Sequence, residues 1–473
     1  MKKKIITMGI AALSCGALLT VAGCSGAGAV TEGNNTTESA TAETQTTTVT
    51  ETTANTGKAL PSPETTETIT NTEDGGHAIN ADGTKESYAN VRVEKTGEAD
   101  GDEADFYGEN AALIAQNGGT LDLKEMMIET DGTHANAVFS YGEGTTVNIS
   151  DSVIDTSGNC SGGLMTTGGG TMNADNLLIH TTGNSSAAIR SDRGGGTVNV
   201  TGGSYTTDGV GSPVIYSTAD ITVSDANMES TASQGIVIEG KNSVTLKNTD
   251  LTADNNKKNG DKSSFYQAIM IYQSMSGDAA EGLSSFTMED GSITNKNGDI
   301  FFVNNTSTEI KLKNADIKNE GDGIFLRAAA AGWGNEGSNG GNVSLTAESQ
   351  TIEGDMLADD ISTINLYLTS ASQWTGAMNA EGEGGDVYVE LTGGSKWTLT
   401  GDSYITSLTC DADSIDLNGY KLYVDGKEYM EGTASSGEAI VVESTGTGGS
   451  RDRGLPMSFC FNNDPGISER QTL

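Results

Sequence analysis

The stretch that decides the fold is Thr146–Ile154, TVNISDSVI, because the same phrase returns at intervals through most of the chain. Upstream it stands as TLDLKEMMI from Thr120. Downstream it stands as TMNADNLLI from Thr171, TVNVTGGSY from Thr197, DITVSDANM from Asp220, SVTLKNTDL from Ser243 and SFTMEDGSI from Ser285. EIKLKNADI from Glu309, NVSLTAESQ from Asn342, TINLYLTSA from Thr363 and DVYVELTGG from Asp386 complete the series. Successive starts lie 26, 25, 26, 23, 23, 42, 24, 33, 21 and 23 residues apart, so the period clusters in the low twenties with two long steps.

Within each phrase apolar residues alternate, as in Val147/Ile149, Val198/Val200, Ile310/Leu312 and Val387/Val389. Period-two alternation marks a strand with one buried face. A second apolar clause follows about half a period later: AVFSYG from Ala137, PVIYS from Pro213, GIVIEG from Gly235, DIFFVN from Asp299 and GIFLRA from Gly323. Gly, Asn, Asp, Ser and Thr fill the gaps and turn the chain.

A period this short, with several strands and no helical rhythm, suits neither a propeller blade nor a helical solenoid, and the L-x-x-L-x-L-x-x-N pattern of leucine-rich repeats is missing. It predicts an all-β, right-handed parallel β-helix of about 11–12 coils, in which like strands stack about 4.8 Å apart. Eleven phrases then make a rod of roughly 50 Å.

Four segments are expected. Residues 1–23 read as a lipoprotein signal peptide: Lys2–Lys4, an apolar run from Ile5 to Ala22, and LTVAGC ending at Cys24, which resembles a lipobox. Cys24 is the expected lipidation site. It would tether the chain to membrane lipid on the extracellular face of the bacterial cell membrane without crossing it.

Residues 24–86, rich in Thr, Glu, Ala, Asn and Gly, have too little apolar surface to fold and are expected to form a disordered stalk. Residues 87–430 are the β-helix with its caps. The N-terminal cap is placed in Ser87–Asn117, with Val91, Val93, Phe106, Tyr107, Leu113 and Ile114, and a C-terminal hairpin in Leu417–Met430, turning at Asn418-Gly419. Residues 431–473 are expected to be a flexible tail.

The formal net charge is −39, and −42 once residues 1–23 with their three lysines are removed. So acidic a chain lacks the basic surface that nucleic acid requires. Cys160, Cys410 and Cys460 follow Cys24 with no zinc or disulfide-framework spacing. Cys160 and Cys410 are expected to be ordinary buried or turn thiols, a long-range disulfide being the alternative.

The coils, together with SYGEGTTVNIS from Ser140, AAIRSDRGGGT from Ala187 and IYQSMSGDA from Ile271, resemble the secreted, adhesin-like β-helix proteins of Gram-positive bacteria. That resemblance covers about residues 87–430. It implies a fold and a surface location and brings no catalytic residues.

Many β-helices degrade polysaccharides, and a glycoside hydrolase needs two carboxylates converging on one bond. The polygalacturonase-like pattern is an NTD and a DD on adjacent coils, with GHG and RIK. Here Asn248-Thr249-Asp250 and Asp359-Asp360 lie several coils apart and neither other motif occurs, so no catalytic residues are expected. Arg190 and Arg193, just before and within the glycine-rich SDRGGG, are expected as solvated surface arginines, with binding of an acidic glycan as the alternative.

His134 and His180 fall in different coils without metal-ligand spacing, so no zinc is expected. Asp100, Asp102, Glu103 and Asp105 in DGDEAD read as a solvated acidic loop, a structural calcium being the alternative, and no other cofactor is expected.

The two long steps carry insertions around AIMIY and after GIFLR, which are expected to project from one edge and wall a shallow groove. Asn304 and Asn305 would floor it. Tyr272, Gln273, Asp278, Arg327, Trp333 and Asn335 would line it, the Trp ring stacking on a sugar while amides and an acid bind hydroxyls. The expected function is that of a non-enzymatic adhesin or glycan-binding display module for host or environmental glycans or surface proteins. The alternative is a polysaccharide-degrading lyase or hydrolase.

Overall fold

The computed structural model describes residues 57–442, except Asp261, Ser263, Asp322 and Glu383. The signal peptide, Cys24, most of the stalk, Cys460 and the last part of the tail therefore lie outside the described residues.

Each coil contributes a strand to three stacked ladders. The first runs from Lys85–Ala89 through Thr120–Lys124, Thr146–Ser150 and Gly170–Asp175 to Ser407–Cys410. The second starts with Glu67–Asn71, Val91–Lys95, Met127–Thr130 and Val153–Thr156, and the third joins eleven strands from Ile79–Asp82 to Asp355–Ala358. Pairing between successive coils is parallel and in register: Thr171 faces Thr146, Met172 faces Val147 and Ala174 faces Ile149. A chain returning to a parallel neighbour does so by a right-handed crossover as a rule. The architecture is the parallel β-helix that the repeat predicts.

The phrases stack as read. Leu121, Val147, Met172, Val198, Ile221 and Val244 lie one above the other, and the column continues to Leu408 with every member buried. Each such side chain contributes about 1.5–3 kcal/mol by leaving water. The phrases from Asn342, Thr363 and Asp386 belong two residues earlier in their strands, since Glu309 pairs with Ser344 and Ser344 with Asn365.

Between first and second ladders the chain turns on one left-handed residue per coil: Asn90, Glu125, Asp151, Asn176, Asp225, Asn248, Asp290 and Asn314 all have φ between 48° and 59°. Asn and Asp tolerate this region because their short polar side chains bond locally. Here they also bond to the neighbouring coil: Asn176 donates to Asp151 (2.9 Å), Asn248 to Asp225 (2.7 Å) and Asn314 to Asp290 (2.6 Å).

The boundaries differ from expectation at both ends. The first coil begins at Glu67 and not near residue 87, and residues 57–66 run back along the Asn/Asp corner. Lys58 pairs there with Asp151 (2.8 Å) and Asp175 (3.2 Å), and Thr66 bonds to the Asn90 carbonyl. Val91, Val93 and Leu113 are ordinary inward residues of the next coil, stacked on Glu67, Ile69 and Ile79. Phe106 and Tyr107 sit in a short helix, α1 (Asp102–Tyr107), which lies on the flank of the stack and caps neither end.

At the other end the hairpin pairs Leu422–Val424 with Lys427–Glu428, turning at Asp425-Gly426 (φ 48° and 70°). Asn418-Gly419 makes a corner between ladders instead. Part of the expected tail is integral: Ser435–Ser436 pairs with Thr409–Cys410, and Ile440 exchanges two hydrogen bonds with the Asn365 side chain. Cys410 is a free, buried thiol as expected. Cys160 is buried at a left-handed turn position (φ 56°) and is disulfide-bonded, the alternative to the expected thiol.

Candidate functional site

The outer face of the third ladder is apolar where a solvent-facing strand would be polar. Ile114, Phe139 and Met165 are covered by α1, and Tyr216, Val237, Met270 and Phe302 by the inserted loops. The insertions thus fold down over the ladder, and the groove expected between them is filled. Trp333 packs on the Tyr272 ring (centroids 5.1 Å apart) with the Lys262 ammonium 4.2 Å above it. Phe265 packs on Phe302 (5.1 Å) and under the Arg327 guanidinium (4.4 Å).

The expected site residues separate accordingly. Asn304 is fully buried and its amide donates to the Ala329 and Asn339 carbonyls. Asn305, with φ 56°, ties its turn to the Gln273 carbonyl (2.8 Å). Gln273 is buried and donates to Ser274 and Ala279 carbonyls. Arg327 holds Asp299 through two bonds (2.6 and 3.1 Å). Trp333 is half-buried and Asn335 exposed at the loop tip. Asn304 and Asn305 therefore brace loops and form no open floor.

Beneath α1 and the 273–282 loop runs a chain of buried polar groups. Arg190, expected at the surface, is 2 % exposed and donates to Asp105 (3.0 Å) and Asp192 (2.8 Å), with His134 Nε2 3.8 Å from Asp105. The correction has a physical cause. Arg190 occupies an outward ladder position, stacked beside Tyr216, that α1 roofs over. Glu239, two coils beyond Arg190, accepts from the hydroxyls of Tyr216, Ser274 and Tyr272 (2.9 Å for the last).

Arg193 fastens the cover. Its guanidinium lies 3.6 Å from the Phe106 ring centre and reaches Asp278 on the loop (2.6 Å) and Asp102 on α1 (3.0 Å). Of the DGDEAD carboxylates, Asp105 is thus buried against Arg190, Asp102 holds Arg193, and Asp100 caps the Gly101 amide. Among the described residues no three His, Cys, Asp or Glu side chains are grouped to hold a metal ion.

Burial dominates the proton affinities. It pushes the Asp192 carboxyl up to about 7 against the pull of Arg190, and raises Glu239 as well. An acid whose folded pKa is raised keeps its proton longer in the folded state, so from about pH 4 to about 7 stability falls as pH rises. Denaturant midpoints are therefore expected to be higher at pH 5 than at pH 7.5, with Asp192→Asn shrinking the difference. His77, whose pKa burial lowers, acts in the opposite sense, so the wild-type-minus-variant difference is the quantity to measure. An unchanged difference would remove Asp192 from the account.

Two open depressions lie among the described residues. One is a trough of about 610 Å³ along the outer first ladder, where Asn148 donates to Asp122 (2.7 Å), Asn173 to Asn148 (2.9 Å) and Asn199 to Asn173 (3.0 Å). The other is a groove of about 500 Å³ lined by Lys258, Ser264, Phe265, Tyr266, the 296–299 turn and Glu320. In that groove Glu320 is gripped by Lys296 (2.7 Å) and Lys318 (2.6 Å), which bring its pKa down to about 2, and Asp299 is buried on Arg327. The sequence signal for it is KKNGDKSSFY, Lys257–Tyr266, in which three lysines of an acidic chain precede two aromatics.

Comparison with protein families, curated proteins and solved structures returned no match.

Proposed function

We propose that this chain is a non-enzymatic, lipid-anchored surface protein that displays a glycan-binding β-helix. One observation carries the reading: the carboxyls with raised proton affinity, Asp192 and Glu239, are sealed under α1 and the 273–282 loop, whereas those of the open groove are neutralised by lysines and an arginine. A glycosidase needs the reverse, a protonated acid facing a free carboxylate across an accessible cleft. The trough offers instead a rigid row of amides whose side chains are already zipped together, so a sugar polymer meets it with little ordering cost on the protein side. The lipobox-like LTVAGC and the resemblance to adhesin-like β-helix proteins support the location.

The test is a glycan array run beside reducing-sugar release from pectin, mucin and glycosaminoglycans. Binding without sugar release is expected, and Cys24→Ala should move the protein from membrane to medium. Release of reducing ends above a heat-inactivated control would establish the enzyme in its place.

A further inference from the structure

We propose that the groove beside the 255–266 loop binds an isolated acidic sugar carried on an otherwise neutral glycan. Lys258 holds the anionic group, and the Phe265 and Tyr266 rings form the wall on which the pyranose lies. The inference rests on the glycan-binding reading and adds to the trough a second site with its own ligand class.

The volume, about 500 Å³, is that of one or two sugar rings and falls among ordinary small-molecule sites of roughly 300–1,000 Å³. An aromatic wall beside polar groups suits a ring with one apolar face and a hydroxyl rim. Phe265 is fixed from behind by Phe302 and Arg327, and the Asn297 side chain braces the turn through the Asn255 carbonyl (2.7 Å). Gly298 lets that turn close on Tyr266: a Cβ there would stand 2.0 Å from the Tyr266 carbonyl oxygen. The wall is therefore built before any ligand arrives.

Charge selects the ligand. Lys258 and Lys296 line the groove and Lys262 and Lys318 stand beside it, in a chain whose net charge is −39, while Lys257 acts on Asp208. Lys262 is committed to Trp333, and Lys296 and Lys318 to Glu320. Lys258 is exposed, donates to the Ser264 carbonyl (3.2 Å) and stands 5.7 Å from the Tyr266 ring, with no carboxylate partner among the described residues. An ammonium has three donors, so two remain for an anion at the mouth of the groove. One such cation among acidic neighbours can hold a single negative group. A polyanion would need the basic stripe that this surface lacks.

The experiment titrates the full secreted chain with lactose, 3′-sialyllactose and 3′-sulfolactose, which share the lactose core; the acidic two each add one negative charge, on a sialic acid ring or as a sulfate. Both acidic ligands are expected to bind about tenfold tighter than lactose, one such step being about 1.4 kcal/mol. Lys258→Ala should abolish the preference and Lys258→Arg should keep it, with thermal unfolding unchanged in both, because Lys258 is exposed. Tyr266→Ala should weaken all three ligands.

Equal affinity for the three ligands in the wild type, or an acidic preference that survives Lys258→Ala, overturns the assignment of this groove. The two readings fail separately. Binding of neutral array glycans unaffected by either variant leaves the display function standing without this site, whereas a wild type that binds nothing on the array removes both.

Discussion

Gly183→Ala is expected to destabilise the protein by at least about 3 kcal/mol, although it adds a single methyl group. The Cβ would stand 1.9 Å from the Gly158 carbonyl oxygen of the coil beneath. Gly158 stands in the same relation to Gly132 (2.0 Å), Gly132 to Gly97 (2.0 Å) and Gly209 to Gly183 (1.8 Å), so in these coils one glycine each sets the closest approach of successive turns. The contact is with backbone on both sides, which can yield only by moving the coils apart and disturbing the ladders.

Gly118→Ala separates this effect from backbone strain, since Gly118 has φ 75° and nothing within 4 Å of its Cβ position. The cost there should be about 1 kcal/mol, the ordinary penalty for alanine at positive φ. Denaturant unfolding of both variants is the check. Equal losses would show that inter-coil contact plays no part.

Arg190→Met is expected to cost about 3–5 kcal/mol, because it leaves Asp105 and Asp192 buried without a cation. Both acids are as deeply buried as the arginine, and Arg190 also joins α1, which carries Asp105, to the third ladder. Adding Asp105→Asn and Asp192→Asn to Arg190→Met should recover much of the loss, an apolar side chain beside neutral amides being tolerable where one beside carboxylates is not. In a stack of repeats the damage should stay near the affected coils. Amide exchange should therefore quicken around α1 and the 273–282 loop before the distant first-ladder strands. A loss under about 1 kcal/mol, or no recovery in the triple variant, would contradict the pairing.

The inward columns were legible because Val147/Ile149 and their equivalents repeat a period-two pattern at a nearly constant interval, and burial of apolar side chains admits one register for it. What stayed hidden depends on residues that meet only through the stack. RSDRGGG, Arg190–Gly196, reads as an exposed turn, yet Arg190 is covered because a helix from about 85 residues earlier lies over it. The helix itself had a faint signal in DEADFYG, whose Gly108 closes it at φ 78°.

The loops were expected to stand out and instead fold down, because Trp333 and Phe265 find Tyr272 and Phe302, apolar rings that alternation alone assigns to solvent. The first coil escaped notice because ETITN, Glu67–Asn71, offers Ile69 as its single aliphatic inward residue. The hairpin was misplaced because Asn-Gly serves a corner of this fold as readily as a two-residue turn.

All of this depends on neighbouring coils lying residue over residue, and engineered cysteines test that most directly. Thr146 and Thr171 are paired on adjacent first-ladder strands, about 4.8 Å apart, within the span a disulfide bridges. Thr146→Cys with Thr171→Cys should therefore form a disulfide on mild oxidation of the folded protein, read by peptide mass. Thr146→Cys with Thr197→Cys, two coils apart and roughly 10 Å distant, should not. A bridge in the second pair and none in the first would contradict the stack.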